Sequence, residues 1–377
     1  MKIIVHIDLN AFFVQCEILR DPSLRGKPVA VGYSGSRGVI STSSYEARAF
    51  GVSSGMPVSQ AKRACPNLIL VPDHFSLYRQ YSNQFFTYLR VRYPILEKAS
   101  IDECYIDMTD DIEPGKEEEY LFDLQMALYK ATRLKCSIGC GANKFLAKMG
   151  SDYKKPLGLT IINQSNIPKI LWPLPIEKMF GIGKQTAPKL KEAGINTIGD
   201  LAVTDNPKVK SILGNLFLYY QGEANGIGDD YVDNSTFDPK SISAERTFST
   251  DATSYEELSE MVRSCVQDIV AELQSYHKVA LSISIKLRTP DFITKSKQMA
   301  LSKPTDSYEE ILSAAMGLFD RTYKDQPIRL LGIGIDKIEE KGKTEDKKTS
   351  SIQESFLDEI NKDLKEGGEV YKGKKDD

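Results

Sequence analysis

The sequence predicts a multidomain α/β (α+β) protein, and three observations carry that expectation. Through the first 165 residues, short apolar runs alternate with helix-period patterns, as in chains built from βα units. From 166 to 231 the texture changes to short helices punctuated by glycine, and beyond 240 the order strand, helix, strand, strand, helix, strand describes another compact domain. A chain of 377 residues exceeds what one hydrophobic core usually organises, so several domains are expected.

Taken in order, KIIVHID reads as a buried strand ending in an acid, AFFVQCEIL as a helix, PVAVGY and GVIST as strands, and FSLYRQYSNQFFTYLRVR as a long helix. KASIDECYIDMT reads as a tight hairpin in which Ile101, Glu103, Tyr105 and Asp107 alternate with Asp102, Cys104 and Ile106. A helix over KEEEYLFDLQMALYKATRL and strands over CSIGCGA and LTII complete this part. FGIGKQTAPKLKEAGI and SILGNLFLYYQGEANGIG form the small helical module, and VDNSTFDPK (232–240) is polar and turn-rich, which suits a linker. The second domain runs through RTFST, a helix around 254–275, VALSISIKLR with Leu281, Ile283, Ile285 and Leu287 on one face, KQMALS, a helix around 307–323, and RLLGIGI. The tail, 341–377, is dominated by Lys, Asp, Glu and Gly and is expected to be flexible, with one apolar island, SIQESFLDEI.

Composition narrows the function. Charges interrupt the 41% hydrophobic content everywhere, and no run approaches the roughly 18 apolar residues of a membrane span. The N-terminus lacks the long apolar stretch and small-residue cleavage site of a secretory signal, so a cytoplasmic location is expected. Six scattered cysteines without C-x-x-C spacing, and only three histidines, argue against a structural zinc site. A net charge of −3 is not the basic footprint of a nucleic-acid binder. The average conceals an asymmetry, with twelve Lys or Arg against six acids in 1–100 and ten acids against one lysine in 101–123, which suits a protein that keeps acids at a metal site and bases where phosphates pass.

The acids supply candidate chemistry. Asp8 ends a strand and is followed by Phe12 and Phe13, while Asp102 and Glu103 sit together at the turn end of the hairpin. Phosphoryl transfer by two divalent ions needs hard oxygen ligands converging from different strands, which three carboxylates and a backbone carbonyl can provide. Taken singly, each acid reads equally as a turn cap or an exposed hairpin tip. In STSSYEAR, Tyr45 and Arg48 share a helix face if the helix begins at Tyr45, and with Thr42 they could grip phosphates; a solvated face is the alternative. Phe13 taken alone is a core aromatic. The glycines of FGIGKQT, at an expected helix start, would let backbone N–H groups approach a phosphate.

In this order, DLNAFFVQCE, SYEAR, SIDE and NKFLAK resemble the motifs of Y-family, translesion DNA polymerases, on the bacterial DNA polymerase IV branch, and the resemblance spans about residues 1–340. It implies a ferredoxin-like palm (1–10 and 75–165), small fingers (11–74), a helix-hairpin-helix thumb (166–231), a linker (232–240), a βαββαβ little finger (241–340) and the flexible tail. It implies distributive, error-prone extension of a primer on a DNA template, without proofreading, by two Mg2+ ions, with Mn2+ as an alternative. Asp8, Asp102, Glu103 and the carbonyl of Leu9 would be metal ligands, with Asp102 and Glu103 catalytic; Asn10 stands where many relatives have a second aspartate. Phe12, Phe13, Thr42, Tyr45, Arg48, Gly55 and Lys155 would surround the incoming deoxynucleoside triphosphate, with Phe13 as the steric gate under the sugar and Gly55 as the roof over the templating base. Gly181, Gly183, Lys184, Ser243, Arg246, Thr247 and Arg329 would meet DNA. Gln353, Phe356 and Leu357, in a Q-x-x-F-L pattern, resemble a sliding-clamp docking peptide. Primer-template DNA, nucleotide and clamp are the expected partners of a monomer that has no membrane contact. A polymerase V-type catalytic subunit and a catalytically inactive DNA-binding relative remain as alternatives, and a nucleotidyl cyclase shares only the palm.

Overall fold

The computed structural model describes residues 2–235 and 237–342, so the tail residues Gln353, Phe356 and Leu357 lie outside the described residues. Contacts divide the chain between 236 and 237 into two compact units. Among the described residues no helix is long and apolar enough to cross a membrane.

The first unit runs β1 (Ile4–Leu9), α1 (Phe12–Arg20), β2 (Val29–Gly32), β3 (Ile40–Ser43), α2 (Tyr45–Arg48), α3 (Val58–Ala64), β4 (Ile69–Val71), α4 (Phe75–Arg90), β5 (Leu96–Lys98), β6 (Glu103–Asp107), α5 (Glu117–Thr132), β7 (Cys136–Gly141), α6 (Lys144–Tyr153) and β8 (Leu159–Ile162). Five small helices follow: α7 (Ile167–Ile170), α8 (Ala187–Glu192), α9 (Ile198–Val203), α10 (Pro207–Leu213) and α11 (Phe217–Ala224). The main sheet has the order β5-β6-β1-β7-β8, antiparallel except for the parallel pair β7 and β8. Fully buried β1 is its centre. Val5, Ile7 and Leu9 join a core with Phe85, Leu89, Leu121 and Leu128 of α4 and α5, while Ile4 packs with Ala147 of α6 on the opposite face. Burial on both faces explains why Ile3, Ile4, Val5 and Ile7 form an apolar run without strict alternation, while polar His6 and Asp8 are buried on the α6 face. The hairpin expected around Asp102 forms between β5 and β6.

Helix α6 was not legible as a helix, and its position depends on glycine. A Cβ at Gly139 would stand 1.9 Å from the Ala147 carbonyl oxygen and 2.2 Å from the Ser151 nitrogen. Only a bare backbone there lets α6 lie directly on the sheet. Asn143 caps the helix by accepting from the Leu146 N–H at 2.9 Å. A smaller sheet, β3-β2-β4, packs Ala30 and Ile40 against Ala47, Val58 and Ala61 of α2 and α3. The five short helices enclose their own core around Leu171, Leu190, Leu201 and Phe217.

The second unit is β9 (Ile242–Ala252), α12 (Tyr255–Ser275), β10 (Lys278–Arg288), β11 (Thr294–Thr305), α13 (Tyr308–Thr322), β12 (Ile328–Ile335) and β13 (Ile338–Glu340). Its sheet order is β11-β10-β12-β9, with β13 on β10, and both helices contribute to one core with the sheet.

Three local expectations need correction. The helix after FGIGK begins at Ala187, so Gly181, Gly183 and Lys184 belong to the preceding turn, where the Gly183 carbonyl accepts from Thr186 and Ala187. Val232, expected in the linker, is buried with Ile4, Tyr105 and Ala147, and the Asp233 N–H donates to Glu97 at 2.8 Å, so this end of 232–240 is fixed to the first unit. In β10 a register shift between Ala280 and Ser282 leaves Leu281 only half-buried while Ile283, Ile285 and Leu287 are in the core.

Candidate active site

Asp8 and Glu103 are direct partners across β1 and β6, and Ser137 of β7 flanks Asp8 on the other side. The strand period puts His6 and Asp8 on the same face as Glu103, Tyr105 and Ser137, under α6. That face collects the chemistry. Lys148, delivered by α6, places its ammonium 3.2 Å from Asp8 and 2.8 Å from Glu103, and Lys155 places its own 2.6 Å from the same Asp8 oxygen. Asp152 lies 2.7 Å from Lys155 and 3.5 Å from Lys148.

Burial works against every charge here, and pairing answers it. Against the upward push of burial, the His6 ring and the Lys148 ammonium hold Glu103 well below the usual carboxylate range. Burial likewise pulls on Lys148 and Lys155, but Asp152, Asp8 and Glu103 keep Lys148 above its ordinary value, and Asp8 and Asp152 do the same for Lys155. Asp102 has no such partner. Burial pushes it up to about 6, and the charges of Asp8 and Glu103 add to that push, while Ser100 Oγ, donating at 2.7 Å, partly offsets it. Its carbonyl accepts from the Leu9 N–H at 3.1 Å, tying the hairpin turn to the end of β1.

The ligand cluster differs in one member from the expected one. Among the described residues, the side chains whose ligand atoms all lie within 4.8 Å of one another are His6, Asp8 and Glu103, while the Asp102 carboxylate accepts from Ser100 Oγ. Asn10 is not a free donor. Its Nδ2 donates to Ser137 Oγ at 2.8 Å and its Oδ1 accepts from the Leu157 N–H at 2.8 Å, so it fastens β1 to β7 and to the segment after Lys155. The donor set, hard carboxylate oxygens gathered around two ammonium groups with Asp8 buried among them, fits divalent cations.

Tyr45 and Arg48 do share a face: the Arg48 guanidinium lies over the Tyr45 ring, 4.6 Å from its centroid, and Arg48 Nε donates to the Ser43 carbonyl at 3.1 Å. The Tyr45 hydroxyl is buried without a hydrogen-bond partner, and burial raises its pKa. Thr42 sits half-buried on β3, paired with Val31. Phe12 is buried in the core, whereas Phe13 stacks on Tyr78. Gly55 is exposed at a φ of +79°, so its turn requires glycine whatever else the position does.

The proposed DNA residues scatter more. Gly181 has a φ of +89°, and its carbonyl accepts from the Tyr220 hydroxyl at 3.0 Å. Ser243 and Thr247 occupy exposed alternate positions on β9, but Arg246 pairs with Leu331 of β12 and turns to Asp268 on α12, so it does not share their face. The Arg329 guanidinium stacks over Phe292 at 4.6 Å.

Two side chains at the centre of the site escaped the sequence reading, His6 and Lys148. The signal for Lys148 was present in CSIGCG, whose alternate glycines mark a closely approaching element, and in NKFLAK, the element that approaches.

Residues 7–152 match the impB/mucB/samB family model, 239–348 match that family's C-terminal domain, and 165–195 match its HHH motif. DNA polymerase IV of Bacillus velezensis is 42% identical over 362 residues, covering 95% of this chain and 87% of that protein. The chain belongs to the impB/mucB/samB family, the Y-family DNA polymerases. DNA polymerase IV 1 of Bacillus subtilis is likewise 42% identical over 95% of this chain and 87% of that protein. Among solved structures, the Y-family DNA polymerase chimera Dbh-Dpo4(243-245)-Dbh matches with a TM-score of 0.78 at 26% identity, over 89% of this chain and 98% of that one. The insertion ternary complex of Dbh DNA polymerase matches with a TM-score of 0.63 at 25% identity, over 90% and 99%. This Y-family member is therefore a DNA-directed DNA polymerase of translesion synthesis.

Proposed function

We propose that the polymerase reaction runs at Asp8, Asp102 and Glu103, which with the Leu9 carbonyl hold two divalent cations, Mg2+ in the cell. The observation that carries this reading is the pairing of buried Asp8 with half-buried Glu103 across β1 and β6 under the ammonium groups of Lys148 and Lys155. When bound, the cations would make the primer hydroxyl a better nucleophile and take up charge on the departing diphosphate. The chain's own part is positioning. Thr42, Tyr45, Arg48 and Lys155 grip the triphosphate of a deoxynucleotide, Lys155 exchanging Asp8 for phosphate oxygens; Phe13 lies under the sugar and Gly55 over the templating base. The exposed turn at Gly181, Gly183 and Lys184 meets the DNA backbone without reading sequence, as do Ser243 and Thr247. Arg246 and Arg329 must first leave Asp268 and Phe292 to join them.

The test is primer extension with purified protein. Asp102→Ala or Glu103→Ala should lower extension by about a thousandfold or more, since lost cation stabilisation is worth several kcal/mol, while primer-template affinity changes little. Near-normal extension by Asp102→Ala would sink the assignment. As to partners, we propose a cytoplasmic monomer that docks through Gln353, Phe356 and Leu357 onto a sliding clamp, with the charged tail as tether. Replacing all three by Ala should leave clamp-free extension intact and abolish stimulation by the clamp.

A further inference from the structure

We propose that a cavity beside Tyr45 binds a second nucleoside triphosphate, other than the one being incorporated, with its phosphates at Arg25, Arg133 and Lys135 and its base against the apolar side of α1. The cavity measures about 610 Å³ and lies wholly within the first unit, between α1, the end of α5 and the segment after Lys155. That is the size of an ordinary small-molecule site. Among the described residues, Tyr45 is the one member of the expected nucleotide grip that lines it.

The wall follows from the sequence of α1. Phe12 and Cys16 are buried in the core, while Ala11, Val14, Ile18 and Leu19 recur at the spacing of another apolar stripe. A helix that is apolar on both sides is ordinarily covered on both. Here Ala11, Ile18 and Leu19 are only partly buried, and the stripe faces the cavity. Gln15, within that stripe, fixes the rim. Its Nε2 donates to the Lys135 carbonyl at 2.9 Å and its Oε1 accepts from the Lys135 N–H at 2.6 Å.

Charge selects an anion. Arg25, Arg133 and Lys135 line the cavity, and among the described residues none of these side chains forms an ion pair. Glu46 is the one acid lining it, so three cations against one acid leave two positive charges in excess. An apolar wall ending in Tyr129 suits a planar base, and a triphosphate carries enough charge to engage all three cations, the guanidinium groups in forked pairs.

Backbone strain gathers at the same place. Of the six described non-glycine residues with positive φ, three line this cavity: Ala11 at 44°, Arg133 at 61° and Leu157 at 61°. Side chains disfavour that conformation, and residues held in it cluster where ligands are clamped. Arg133 ends α5, where glycine is the usual residue, and Lys130 already supplies the last turn with the cation that a helix end favours. Neither the turn nor the dipole calls for an arginine there. An anion in the cavity does.

ATP with Mg2+ is the probe, since a polymerase site gated by Phe13 rejects its 2′-hydroxyl. In equilibrium dialysis of the full chain without DNA, one ATP should bind per chain. Arg133→Gly suits the backbone, so Tm should not fall, yet ATP should bind at least about tenfold more weakly. The double variant Arg25→Ala, Lys135→Ala should weaken ATP as much, while primer extension by both variants at saturating deoxynucleotide stays within about threefold. Lys155→Ala, which cripples the grip on the incoming nucleotide, should leave ATP binding unchanged. No binding at millimolar ATP overturns the proposal and leaves the polymerase site, tested by Asp102→Ala, as it was. ATP binding that both cation variants retain overturns it as well. Binding abolished by Lys155→Ala returns the ligand to the polymerase site, and pyrophosphate that competes as strongly as ATP shows that no base is held.

Discussion

The ring of Phe13 lies face to face with that of Tyr78, centroids 4.3 Å apart and planes within 12°. Phe75 closes edge-on at 5.8 Å, and below the stack the Tyr78 hydroxyl donates to buried Glu17 at 2.6 Å, the same oxygen that His74 Nδ1 reaches at 2.8 Å. A half-buried Phe13 resting on so fixed a platform can be both a packed aromatic and a wall beneath a sugar. Phe13→Ala should therefore raise ribonucleotide over deoxynucleotide insertion at least about tenfold, the low end of what pocket sterics typically discriminate. Tyr78→Leu removes the platform but leaves the wall, so its effect should be smaller. Single-nucleotide insertion kinetics with both sugars decide it, and an unchanged ratio in Phe13→Ala would reduce that ring to core packing.

Lys148 makes a second prediction. Its side chain is only 10% exposed and bonds both Asp8 and Glu103. Lys148→Met keeps the stem and deletes the charge, which leaves the half-buried Glu103 carboxylate without its ammonium partner and should lower stability, by less than the roughly 3 kcal/mol typical of a fully buried pair. A divalent cation can replace the missing charge. In urea unfolding, millimolar Mg2+ should thus restore more stability to the variant than it adds to the unsubstituted protein. Equal increments would mean that Lys148 does not occupy the cation's place.

How much of this was legible in the sequence depends on how local the cause is. β1 and the β5–β6 hairpin were readable because an apolar run closed by an acid, and an alternating stretch with an adjacent acid pair, are local signals. Arg246 stands apart from its neighbours although its strand is regular: in S-I-S-A-E-R-T-F the period places Arg246 with Ile242 and Ala244 on the α12 side, and Ser243 with Thr247 on the other. That difference of face was readable from the strand period alone. His6 could not be placed, since its importance arises from Ser151 on α6 and Glu103 on β6, which only the folded sheet brings together. The half-burial of Leu281 follows a bulge set by partner strands, and no residue near it announces one.

Asn10 is a structural tie. Asn10→Asp keeps an acceptor for the Leu157 N–H, and Ser137 can turn its own hydroxyl hydrogen toward the new carboxylate, so both contacts survive. Stability should change by no more than about 1 kcal/mol and extension by only a few-fold. Asn10→Leu loses both contacts and buries two unsatisfied partners, so it should cost about 2 kcal/mol or more. Thermal unfolding of the two variants separates these outcomes, and equal losses would show that the amide's bonds do not matter.

Glu223 on α11 is buried at 2% exposure, with one carboxylate oxygen unbonded. Burial pushes it from an ordinary 4.5 up to about 7; a hydrogen bond from Tyr219 opposes that push and the charge of Asp229 reinforces it. A folded-state value above the unfolded one means that the native protein holds this proton more tightly. The stabilisation is complete below about 4.5 and is lost as pH rises through about 7. At 1.36 kcal/mol per unit, the swing is on the order of 3 kcal/mol. Glu223→Gln preserves the shape and cannot ionise. Denaturant unfolding at pH 5 should show the two proteins within about 1 kcal/mol, and at pH 8 the variant should be the more stable by most of that swing. If the difference between them does not grow with pH, Glu223 is ionised in the fold, and the buried end of α11 must contain a compensating charge.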